Sequence, residues 1–127
     1  MLDFEHLQLI KDGEGKEVIN IEKSNLPYPS LNEVNYLAFG ESNDEYHNEL
    51  YGFIDREEML GNFKQGKATM LYKKQWKGDL REEQKILSEY IRHQIHHPEN
   101  TENIRFTDDQ LQESIGEIRI FINNSFE

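Results

Sequence analysis

The stretch "EYIRHQIHHPEN", residues 89–100, puts one arginine and three histidines into six consecutive positions and then stops at a proline. Three kinds of chemistry suit that cluster. As metal ligands, His93 with His96 or His97 could share one helix face, and His47 or a carboxylate could supply a third donor. There is no glutamate in a His-Glu-x-x-His frame, and Arg92 stands beside the would-be cation. As a helix end, imidazoles favour the negative pole and can donate to the last carbonyls. As a phosphodiester-cleaving set, the cluster offers what RNA scission without metal needs: a base for the ribose 2′-hydroxyl, an acid for the leaving 5′-oxygen and a cation for the charge building on phosphorus. Histidine titrates near neutrality, and arginine stays charged while gripping phosphate through two parallel hydrogen bonds.

The spacing complicates the third reading. Arg92 and His97 are five positions apart, which on an ideal helix sets them well apart around the axis. Either Pro98 distorts the helix end, or the two residues meet across a second copy of the same helix, in a symmetric dimer with one composite site on the two-fold axis.

Several elements must position this cluster. In "LREEQKILSEYIRHQIHH" the apolar set Leu80, Ile86, Leu87, Tyr90, Ile91 and Ile95 predicts a helix running from Leu80, with Lys85, Glu89, Arg92, His93 and His96 opposite. Pro98 disfavours helical geometry at His97 and should end it there. "TDDQLQESIGEIRIFI" predicts the last helix, with a capping box in Thr107 and Gln110 and a stripe of Leu111, Ile115, Ile118 and Ile122. Upstream, "SLNEVNYLAF" predicts a helix capped by Ser30 with Glu33 three residues on, carrying Leu31, Val34, Leu37 and Ala38. "SNDEYHNELYGFIDREEML" predicts another, capped by Ser42 or Asn43, with Tyr46, Leu50, Phe53 and Ile54 along one stripe. Residues 6–21 alternate around "KDGEG" as two short strands would, and two prolines in "EKSNLPYPSLNE" mark a connector. The expected architecture is a single, mainly α domain spanning 1–127: a helical bundle over 30–127 with an added N-terminal β-hairpin over 1–25.

Residues 61–79, "GNFKQGKATMLYKKQWKGD", differ in character. They hold Lys64, Lys67, Lys73, Lys74 and Lys77 and no acid until Asp79, with Phe63, Tyr72 and Trp76 interleaved. One reading is an exposed loop or strand whose aromatics rest on the core while the ammonium groups stay in water. The other is an electrostatic footprint for a phosphate backbone, with rings on which bases can stack.

Composition narrows the choice. A formal charge of −11 makes the average surface repel polyanions, so nucleic acid must be met at a local basic patch or with a partner's help. The absence of cysteine removes disulfides, thiolate zinc sites and thiol nucleophiles. No apolar run approaches the roughly 18 residues of a membrane span, and the first residues are acidic where a signal peptide is basic, so a cytoplasmic protein without a membrane partner is expected. A small acidic domain with so polar an average tends to hide apolar surface in a second copy, which again points to a homodimer.

The cluster also resembles a known family. "RHQIHH", residues 92–97, fits the R-[N/D/H]-x-x-x-H signature of HEPN domains, many of which are metal-independent ribonucleases. The longer run 90–119 looks like the C-terminal end of bacterial anticodon nucleases of the PrrC and RloC kind, in which "IHHPEN" is followed by an aromatic, a helix cap and an "L-x-x-SI" helix. Residues 32–54, with "EYH-x-x-L", are similar to the region upstream of that motif. The resemblance implies a helical bundle that dimerises around the motif helix and cuts RNA, often transfer RNA, to a 2′,3′-cyclic phosphate and a 5′-hydroxyl, in phage defence or as a toxin. It makes Arg92 and His97 the catalytic pair, and it gives His93, His96, Glu99 and Asn100 supporting roles. No cofactor is implied. Such nucleases usually carry an ATPase domain ahead of the nuclease, whereas this chain has no G-x-x-x-x-G-K-[S/T] loop. A separate ATPase or antitoxin partner would then supply control. Alternatively, the chain is a non-catalytic relative that binds RNA or nucleotide, or a regulatory subunit of an ATPase defence complex.

Overall fold

The computed structural model describes residues 25–26 and 30–125, so the hairpin expected over residues 6–21 lies outside the described residues. The chain divides between Glu41 and Ser42 into two compact units. In the first, helix α1 (Leu31–Phe39) starts where expected, with the Ser30 hydroxyl accepting from the Glu33 N–H at 3.2 Å. It ends at Gly40, whose φ of 69° is the left-handed conformation a helix C-cap favours and side chains resist. The Glu33 carboxylate is fully buried and accepts from the backbone N–H groups of Asn25 and Leu26, at 3.1 and 3.2 Å. Leu31, expected on the apolar stripe, is instead 75% exposed.

The second unit holds α2 (Asp44–Arg56), the short α3 (Leu60–Lys64), an antiparallel hairpin of β1 (Thr69–Trp76) and β2 (Asp79–Ile86), α4 (Leu87–His96) and α5 (Asp108–Ser125). Asn43 caps α2 by accepting from the Tyr46 N–H at 2.7 Å. The capping box of α5 forms in both directions, Gln110 N–H to the Thr107 hydroxyl at 3.1 Å and Thr107 N–H to the Gln110 side chain at 2.9 Å. Helices α2, α4 and α5 pack on one another around Tyr46, Leu50, Phe53, Ile54, Ile91, Leu111, Ile115, Ile118 and Ile122, which covers the stripes expected of α2 and α5. Each aliphatic side chain so buried contributes about 1.5–3 kcal/mol. A polar seam joins the same three helices. The fully buried His47 (α2) meets the Ser114 hydroxyl (α5) at 2.7 Å through Nε2, and Ser114 meets Ser88 (α4) at 2.5 Å.

The helix expected from Leu80 is a correction: residues 79–86 are strand β2, and α4 begins only at Leu87. Lys77 and Gly78 take φ of 52° and 84°, the pair of positive values of the two-residue turn that matches strand twist. The chain therefore folds straight back, pairing Lys73 with Glu82, Tyr72 with Glu83 and Lys74 with Arg81. Glu83 of "REEQK" binds Lys74 across the hairpin at 2.5 Å and Lys85 on its own strand at 2.9 Å. "REEQK" suits a solvated helix equally well, and β2 shows little burial until Ile86, so no alternating pattern advertised a strand. The described residues are mainly helical, with an antiparallel hairpin at 69–86. Among the described residues no helix is long and apolar enough to cross a membrane.

Candidate functional site

Helix α4 ends as Pro98 demands, with His97 as C-cap and its N–H donating to the His93 carbonyl at 2.9 Å. The following loop is tied down on both sides. The Tyr90 hydroxyl and the Gln94 amide both donate to the Ile104 carbonyl, at 2.5 and 2.8 Å, and the Phe106 N–H donates to Gln94 at 2.9 Å. Asn103 satisfies both backbone groups of Lys73, accepting from its N–H at 2.7 Å and donating to its carbonyl at 2.8 Å, as a neighbouring strand would. Asn100 donates to the same carbonyl at 2.9 Å and to the Tyr72 hydroxyl at 3.0 Å. The free edge of β1 is thereby covered, and the loop is held against the hairpin.

Between them lies a cleft of about 420 Å³ whose lining includes Tyr72, Lys74, Trp76, His93, His97 and Asn100. The His93 and His97 rings are stacked, with centroids 6.2 Å apart and planes 23° from parallel. His93 also leans on the Tyr72 ring at 5.2 Å, and Tyr72 packs edge-on against Tyr90 at 5.9 Å. Burial holds the His93 imidazole below its ordinary value, and the Lys85 ammonium and the His97 ring act in the same direction. His97 is exposed, with Nδ1 3.2 Å from the Glu99 carboxylate. With an Nδ1 hydrogen donated to Glu99, Nε2 keeps the lone pair a general base needs. On the hairpin, hydrogen bonds from Lys74 and then Lys85 push Glu83 down to about 2. These groups are partly in water, so the ion pairs add little stability.

The expected site residues separate into groups. His93, His97, Glu99, Asn100 and Lys74 line the cleft. Arg92 does not line it: its guanidinium sits 4.6 Å over the Tyr51 ring and 3.5 Å from the Asn48 carbonyl, on the α2 side of α4. His96 is exposed beyond the cleft lining. Lys64 is paired with Glu89 at 2.8 Å, Lys67 lies over the Phe63 ring at 4.7 Å, and the Lys73 backbone carries the asparagine clamps. Lys77 stands 5.7 Å from the centre of the Trp76 ring. His47, the candidate third metal donor, is held in the core by Ser114, and burial followed by the Arg92 charge lowers it to about 4. Among the described residues no three histidine, aspartate or glutamate side chains converge as a metal set would.

Sequence reasoning noticed Tyr72 and Trp76 without assigning them to the site, and it missed Gln75, Thr101 and Glu102, which also line the cleft. The available signal was "WKGD": a Lys-Gly pair between two polar, strand-compatible runs marks a hairpin, and the hairpin carries the aromatic wall to the histidines. Comparison with protein-family models, with curated proteins and with solved structures returns no match, so the cleft must be interpreted from its own geometry.

Proposed function

We propose that this chain is a metal-independent endoribonuclease of the HEPN kind, acting on RNA such as transfer RNA in the cytoplasm, in phage defence or as a toxin. The observation that carries the reading is the stacked His93–His97 pair in a cleft whose other wall is the basic, aromatic hairpin. One His97 takes the proton of the ribose 2′-hydroxyl as the 2′-oxygen attacks phosphorus. A second imidazole protonates the 5′-oxygen as the P–O5′ bond breaks, which leaves a 2′,3′-cyclic phosphate and a 5′-hydroxyl. Arg92 reaches the scissile phosphate from a second copy packed on α4, because its own guanidinium lies on the α2 side, away from the cleft of the same chain. Lys74 and Lys77 guide the strand. A separate ATPase or antitoxin controls the reaction.

A second reading, a non-catalytic module that binds RNA or regulates an ATPase complex, is favoured by two facts. Arg92 is engaged with Tyr51, and the chain carries a charge of −11. The experiment that separates the two is incubation with RNA in excess chelator. The nuclease reading expects discrete fragments ending in cyclic phosphate. It also expects Arg92→Ala and His97→Ala proteins, each inactive, to recover cleavage when mixed as a hybrid dimer. Intact RNA, or cleavage only after added metal, would overturn it.

A further inference from the structure

We infer that the mouth of this cleft is a nucleobase site in which one unpaired base of the RNA stacks on Trp76. The inference rests on the ribonuclease reading and names the part of its substrate that the hairpin recognises. Trp76 is 49% exposed although it ends a strand whose Tyr72, four residues earlier on the same face, is buried against Tyr90 and His93. A large ring left half in water at the lip of a cleft is an incompletely buried surface, and a base is the flat partner that completes it.

The charges around the ring point the same way. The Lys74 and Lys77 ammonium groups lie 5.9 and 5.7 Å from its centre. Exposed cations over a ring gain only about 0.5–1 kcal/mol, so a base displaces Lys77 easily, while Lys74 stays on Glu83 beside the ring, and both ammonium groups are at hand for the phosphates on either side of the base. The lining also carries Glu99 and Glu102, exposed carboxylates that repel a phosphate but accept hydrogen bonds from the N–H edge of a base. The cleft thus combines cations, an aromatic platform and acceptors, one of them, Glu99, beside His97. A cleft of about 420 Å³ has room for one nucleotide and none for a duplex. The site consequently selects single-stranded RNA, and it sets the register of the strand relative to His97.

Trp76 is the chain's one tryptophan, so its emission reports on this place alone. The test is to titrate the full chain with a 2′-O-methyl oligonucleotide, which lacks the nucleophile and cannot be cut. The same strand in duplex, and an oligomer of abasic sugar-phosphates, serve as controls. The expected result is saturable quenching by the single strand and none by the duplex or the abasic oligomer. Followed by the anisotropy of a dye-labelled strand, since these variants carry no tryptophan, Trp76→Ala should weaken single-strand binding about 5- to 100-fold, and Trp76→Phe should restore most of it. Equal quenching by the abasic oligomer, no quenching at all, or unchanged affinity in Trp76→Ala would overturn the base site. Cleavage of natural RNA without quenching would overturn the base site and leave the nuclease standing. Quenching without cleavage would do the reverse.

Discussion

His47 and His97 belong to the same bundle, one inside it and one at its surface, and show how far surroundings decide what an imidazole does. His47 is fully buried, donates to or accepts from Ser114, and is lowered to about 4 by burial and by the Arg92 charge. It is a neutral hydrogen-bonding strut. His97 sits at a helix end in water, with one nitrogen next to Glu99 and its ring stacked on His93 in a cleft. It is open to solvent and to whatever enters the cleft. The seam ties three helices together while the cleft leaves its outer imidazole open to solvent, and the difference arises from burial and partners rather than from residue type.

The largest effect expected on the seam side is from His47→Ala. It empties a closed site and takes a partner from Ser114, costing about 3 kcal/mol in chemical denaturation at neutral pH. A loss below about 1 kcal/mol would blur the comparison by showing that the strut is dispensable. Acid should act through the same ring. The unfolded chain binds a proton at His47 near 6.5, and the folded chain does so only near 4. Stability from this group is therefore complete above about pH 6.5 and falls as the pH drops toward 4, by up to about 3 kcal/mol. The same pH series on His47→Gln should lose most of that slope, and an unchanged slope would assign the acid sensitivity to other groups. A smaller effect is expected on the cleft side from Asn103→Ala, which takes the side-chain acceptor from the Lys73 N–H and leaves the Lys73 carbonyl to Asn100. A cost of about 1–2 kcal/mol in thermal melting should come with faster amide exchange at Lys73. An unaltered exchange rate would mean that the loop does not hold the hairpin wall in place.

What could be seen in the sequence follows from where the constraints are local. Caps at Ser30, Asn43 and Thr107 and the stop at Pro98 depend on a few neighbouring residues, and helices with a continuous apolar stripe, such as Leu111 to Ile122, declare their period. Strand β2 does not. Its exposed "LREEQK" carries neither alternation nor a core face, and it is a strand because the Lys77–Gly78 turn returns it to a lysine-rich partner. The histidine cluster was legible as a cluster. Its division into a cleft side and an α2 side was not, because it depends on which residues of distant elements, Tyr51 or Tyr72, stand opposite Arg92 and His93. The cleft itself needed the hairpin, so Trp76 could be recognised as an available aromatic but not placed beside His97.

The most direct test of the account compares the parent with His97→Ala in excess chelator, following the RNA cleavage rate and the melting curve in the same samples. The account predicts a rate lower by at least about 100-fold with the melting temperature unchanged, because the His97 side chain is exposed. Equal cleavage by the two proteins, or a loss of cleavage that only follows unfolding, would contradict it.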